Sequence, residues 1–258
     1  MEKPVSDSAA RRTGDSPAFR AATVTSVAET IARMEEIEAA LPDSDGVQWF
    51  NRLYLLVTRN VARRIADQPA DWRSLPWITR VVPTFANLYF EALTSYETGR
   101  PTPNAWEPVF QLRHQPRIYR LQFALAGMSA HINRDLPYAL QATLDGLGVP
   151  PDASADHPAL AAVRHDYLLV NDILAASEVQ ARTDPSVGLI ADLPLQPNPD
   201  LTPLADVLAM WSVRKAREVA WRNARMLRTS PGAGELLMQG WDSLTGAFNR
   251  GLLVRLKP

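Results

Sequence analysis

The residues of this chain best suited to chemistry lie together in residues 127–140, which read GMSAHINRDLPYAL. His131 and Asp135 are four apart, so in a helix they share one face. An imidazole and a carboxylate one turn apart can ligate a single divalent cation. Alternatively, the carboxylate can hold one ring nitrogen, fix the tautomer and leave the other nitrogen as a general base. A plain structural reading stands beside these: Asp135 caps a helix that begins near Pro137, and His131 is a hydrogen-bonded core residue. Pro137 has no N–H to offer the Asn133 carbonyl and disfavours helical backbone at Leu136. The helix is therefore expected to kink or end beside Asp135, freeing that carbonyl for solvent, a ligand or a metal-bound water. His131, Asp135 and Asn133 are the candidate catalytic residues.

A second stretch carries similar groups. Pro158 opens a long helical pattern with Leu160, Val163, Tyr167, Val170 and Leu174. His165, Asp166, Asn171 and Asp172 are embedded in it. His165 and Asp172 are seven apart and share a face two turns apart. If this helix lies beside the first, either could join His131 and Asp135 around one divalent metal ion. That is the cofactor this sequence could hold, and the set is conditional on the facing. Tyr89, Met128, Tyr138, Tyr167 and Asn171 are the candidate substrate-binding side chains. Glu91, beside the apolar stripe of its helix, could be an acid or a third ligand if buried and otherwise reads as a rim position, and His114, just before Pro116, is a minor candidate.

These groups must be positioned by helices. Val24, Val27, Ile31, Met34 and Ile37 recur at helical spacing up to Leu41-Pro42. Asp43-Ser44-Asp45-Gly46 signals a turn and cap, and the next helix runs to about Asp67 with Asn51 and Arg52 among its large apolar residues. A third starts near Pro76 and stops at Gly99, with Pro83 inside it. A short helix covers residues 106–113, and another starts at Pro116 and leads into the His131 segment. Tyr138, Leu140, Leu144 and Leu147 continue to Gly148. Residues 183–203 are rich in proline and read as a segment that wraps the surface or covers a pocket mouth. A basic helix over residues 204–228 carries Arg214, Lys215, Arg217, Arg222, Arg225 and Arg228. It reads as an exposed face, with an anionic substrate or neighbouring carboxylates as the other partners it could serve. A last helix covers residues 235–253. No hairpin signal, βαβ alternation, phosphate loop or nucleophile elbow is present. The expectation is an all-α, single compact domain of roughly eight helices over residues 23–258, behind a disordered tail at 1–22.

Composition narrows the classes further. The 258 residues are 46% hydrophobic and 21% charged, enough for a sizeable core. A net charge of -1 argues against a dedicated nucleic-acid binder. With no cysteine, disulfides, thiolate metal sites and cysteine nucleophiles are excluded. No apolar run approaches membrane-spanning length, and the polar opening lacks a signal-peptide pattern, so a cytoplasmic location is expected.

The segments DGVQWFNRLYLLVTRNVARRI, FANLYFEAL, AWEPVF, LQFALAGMSAHINRDLPYAL and HDYLLVNDIL carry a likeness to a known family. Over about residues 28–228 the chain resembles the actinobacterial family of unknown function DUF5995. His131, Asn133 and Asp135 match its motif residue by residue, as do Asp166 and Asn171, while Ser129 stands where the family usually has asparagine. The resemblance implies a mostly helical protein and brings no established reaction. HINRDLP is also similar to the His-x-x-x-Asp helix of zinc-dependent phospholipases, which use more histidines than the four here. The function expected is a hydrolase or a lyase/cyclase acting on a small, largely apolar molecule in a His/Asp-centred pocket. The alternative is a non-catalytic helical module that binds a ligand or a protein.

Overall fold

The computed structural model describes residues 23–193 and 212–256, and every regular element among them is helical. The tail at 1–22, the proline-rich stretch beyond 193 and the start of the basic helix, with Leu208 and Trp211, lie outside the described residues. The helices are α1 (Val27–Ala40), α2 (Gly46–Asp67), α3 (Leu75–Glu97), α4 (Glu107–Gln111), α5 (Arg120–Ala130), α6 (Leu136–Gly146), α7 (Pro158–Thr183), α8 (Val213–Thr229) and α9 (Pro231–Leu252). A π turn, His131–Asp135, joins α5 to α6. Counted with that turn as one rod, they make eight, as the periodicity predicts.

Local chemistry explains most boundaries. The Ser26 hydroxyl accepts from Glu29 N–H and starts α1. Asp45 accepts from Val47 N–H at 2.9 Å and starts α2. The same fully buried carboxylate is forked by Arg113, whose other arm reaches Glu97 at the end of α3. One buried network thus ties the α2 start, the α3 end and the loop after α4. Pro76 occupies the first turn of α3, and Pro83 sits inside that helix without ending it. The helix expected from Pro116 begins instead at Arg120, because Arg117 takes a left-handed backbone (φ 70) that no helix continues.

A continuous core runs from Val24 to Leu253. Helix α2 lies at its centre, against α1, α5 and α7. Helix α6 packs on α3 and α8, and α9 covers α5 and α8. The α2–α5 contact is close because α5 offers Gly127, where a Cβ would stand 2.3 Å from the Phe50 ring. Asn51 does point inward, donating to the Met34 carbonyl at 2.9 Å, whereas Arg52 is half-buried on Glu38.

Candidate functional site

The helix expected to kink or end beside Asp135 does not end there. It widens: Leu136 N–H reaches back five residues to the His131 carbonyl. Pro137 lacks the donor that would close an α-helical ring on Asn133, so the ladder takes up an extra residue and then resumes as α6. Asp135 has helical backbone and makes no capping hydrogen bond, which removes the cap reading.

Instead, Asp135 is the hub of a buried cluster. It is fully buried, and its Oδ2 lies 2.9 Å from His131 Nδ1 and accepts from Trp106 Nε1–H at 2.9 Å. Its Oδ1 accepts from Arg134 at 2.9 Å. Both carboxylate oxygens are thus acceptors, so His131 Nδ1 is the nitrogen that carries hydrogen and Nε2 keeps its lone pair. The ring is held by aromatic walls. It stacks on Phe85 with centroids 3.5 Å apart, and Tyr54 and Phe50 meet it edge-on at 4.6 and 5.7 Å. His131 is 1% exposed, and Nε2 has no hydrogen-bond partner among the described residues. Burial holds the imidazole pKa below its ordinary 6.5, against the opposing pull of Asp135.

His131 lines a cavity of about 80 Å³ between α2, α3, α5, the π turn, α6, α7 and α8. Its walls are mostly apolar and include Val57, Val61, Ile78, Val81, Met128, Ile132 and Leu174. Tyr54, with a buried hydroxyl that meets no partner among the described residues, also lines it. Burial, and next the charge of Asp135, push that phenol above its ordinary range, so it stays a neutral donor. Arg217 from α8 closes another wall.

Met128 and Tyr167 line this cavity, and the Tyr167 hydroxyl donates to the Arg217 carbonyl at 2.6 Å. Asn171 acts one step back, accepting from Arg217 Nε–H at 2.8 Å. Tyr89 is fully buried behind the cluster, stacked on Trp106. Tyr138 faces outward to Glu235, and its phenol is pushed up to about 12, chiefly by burial. Asn133 donates to Ser129 Oγ and borders a different hollow, near Lys215 and Trp241.

The conditional metal set is not brought together. His165 lies 3.0 Å from Asp166, a buried carboxylate that accepts from the Arg73 and Ser74 N–H groups and anchors the start of α3. Asp172 is exposed and pairs with Arg214. Asp135 itself points at Nδ1, away from the free nitrogen. Among the described residues no group of three or more His, Cys, Asp or Glu side chains could share an ion. Glu91 is exposed, and His114 is a mostly exposed neighbour of Asp45.

Tyr54, Phe85, Trp106 and Arg217 are site residues that pattern-reading overlooks. Arg217 had a signal: with Ala220, Trp221, Ala224 and Arg228 it follows the i, i+3, i+4, i+7, i+11 stripe that α8 buries. The basic helix is therefore not simply an exposed face.

The profile of a family of unknown function, DUF5995, matches residues 27–255. The chain belongs to that family. Two of the segments that carry the likeness, around His131 and around Asp166 and Asn171, contribute to the walls of the cavity or to residues that hold them. No curated protein and no solved structure matches the chain. No helix among the described residues is long and apolar enough to cross a membrane.

Proposed function

We propose that this DUF5995 protein is an enzyme that transfers a proton on a small, largely apolar molecule, with His131 as the base. The observation that carries the reading is the pairing within one ring: Nδ1 is fixed by Asp135, and Nε2 is buried without a partner among the described residues, in a side chain that lines a mostly apolar cavity. A buried acceptor left without a partner costs about 1–3 kcal/mol, a cost recovered when a ligand supplies the hydrogen. In the reaction Nε2 takes a proton from substrate carbon or from a water beside it. Asp135 stabilises the imidazolium that forms, and the Tyr54 hydroxyl donates to the oxygen on which negative charge develops. Elimination and hydrolysis are the matching reaction types. Among the described residues no serine lines the cavity to form an acyl-enzyme. The residues around Nε2 do not suit a divalent metal, since the charged side chain that lines the cavity with His131 is the Arg217 cation.

The first test needs no substrate. Nitrogen NMR at pH 7 should find His131 neutral with hydrogen on Nδ1; an imidazolium, or hydrogen on Nε2, would refute the assignment. With turnover in hand from a screen of short esters and hydroxy acids, His131→Gln should lower the rate by about 10²–10⁴-fold. A second reading is supported by the face-to-face stacking on Phe85, which suits an immobile acceptor in a non-catalytic binding protein. In that case ligands bind without turnover, and His131→Gln changes affinity alone.

A further inference from the structure

Among the described residues, the charged side chain that lines the cavity meets no carboxylate. Arg217 is 5% exposed. Its Nε donates to Asn171 Oδ1 at 2.8 Å and its Nη2 to the Tyr167 carbonyl at 2.6 Å. Its guanidinium carbon lies 4.0 Å from the centre of the Tyr167 ring. Every one of these partners is neutral, and no carboxylate within ion-pair distance is found among the described residues. The other buried arginines among the described residues differ: Arg33 holds Glu36, Arg113 holds Asp45 and Glu97, and Arg228 holds Asp145. Glu218, next along the chain, is already taken in both oxygens by Arg164. Buried charges are ordinarily paired, because an unpaired one forfeits hydration with nothing in return. Here Nε and Nη2 are fixed by protein acceptors, while Nη1 donates to no protein group among the described residues.

We infer that the cavity takes a short aliphatic carboxylic acid, its carboxylate on Arg217 and its body along the apolar walls toward His131 Nε2. This rests on the reading of the His131 cavity as a ligand site. Charge and size select the ligand. A single guanidinium with one free arm matches a singly charged carboxylate; a phosphate dianion needs more donors than this wall has. The cavity, at about 80 Å³, is roughly half the volume that accommodates benzene in an engineered protein core. On that scale, with six heavy atoms in about 150 Å³, it admits about three heavy atoms, so a body of about two carbons beyond a carboxylate held at the Arg217 wall. The valine, isoleucine and leucine lining suits an aliphatic chain better than a sugar or an amine. Arg217 then holds the acid in place, and the carbon or ester to be attacked lies at the Nε2 end.

The test is calorimetric titration of the full chain at pH 7.5 with propanoate, with its isosteric neutral amide, and with inorganic phosphate. The acid should bind at least about tenfold more tightly than the amide, and phosphate should not compete. Arg217→Gln should lose that preference while binding the amide unchanged, and His131→Gln should keep it. Equal binding of acid and amide overturns the inference, as does an Arg217→Gln protein that still prefers the acid. Binding of the amide alone overturns the carboxylate but leaves the cavity reading standing. Binding of neither removes both. If Arg217→Gln fails to fold, the acid–amide comparison on the natural chain and an Arg217→Lys variant, expected to retain only part of the preference, still decide the matter.

Discussion

His131 is where pH meets stability. Burial depresses its pKa below 6.5 in the folded chain, so the folded state keeps it neutral where the unfolded state would charge it. The resulting stability is whole above about pH 6.5 and is lost as pH falls from there through the folded pKa. Thermal melts from pH 7.5 down to 5 should show this decline, and His131→Gln should flatten it. Truncation to alanine is a different matter. The ring fills space between Phe85, Tyr54 and Phe50, so His131→Ala should cost about 2–4 kcal/mol by leaving a cavity, as read from urea unfolding. At this scale the sequence was partly legible. A spacing of four announces the His131–Asp135 contact, because helix geometry alone delivers it. It could not choose between a shared cation and a shared hydrogen, since that choice is made by Trp106, which is 29 positions away and donates to the same oxygen. Arg217 was harder still, because arginine is so commonly exposed that its place on a buried stripe is easily discounted.

The elements themselves are strongly periodic, and most are foretold to within a few residues. The misjudged boundaries involve backbone exceptions: a left-handed Arg117 that delays α5, and a proline that widens a helix instead of ending it. How elements face one another is less legible. The second His/Asp helix could offer His165 or Asp172 only if it faced the first; His165 instead lies against Asp166, which anchors α3, and Asp172 faces solvent. What α7 brings to the cavity is Tyr167 and, through Asn171, the orientation of Arg217. The approach of α5 to α2 depends on Gly127. Gly127→Ala should destabilise the protein by about 1–3 kcal/mol in chemical denaturation, because the added methyl meets Phe50 under the His131 ring. An unchanged midpoint would mean that the two helices separate easily and that the dyad tolerates their movement.

At the scale of the whole molecule, the last helix bolts the site shut from behind. Asn249 is fully buried on α9, and its Nδ2 donates to the carbonyls of Ala105 and Ala126, each at 3.0 Å. Ala105 precedes Trp106, so this one amide fixes the loop that supplies a donor to Asp135 relative to the helix that carries His131. Asn249→Leu should cost about 1–3 kcal/mol by stranding buried carbonyls, and should broaden the His131 resonances in NMR spectra of the folded protein. Sharp, unshifted resonances would separate α9 from the site. The all-α class follows from composition and period, whereas the closure of α9 over α5 depends on polar contacts between residues over a hundred positions apart, which no local pattern encodes. The π turn has a further consequence, in the counting of residues. A rod with one surplus residue is phased by its length, and no substitution can rephase it. Removing a single residue from 131–135 would let the α-helical ladder close, turning α6 and all it contacts by about 100° and drawing it back by about 1.5 Å. A one-residue gap at this point is therefore a change of frame for half the molecule, whereas the same gap in a surface loop would merely shorten it.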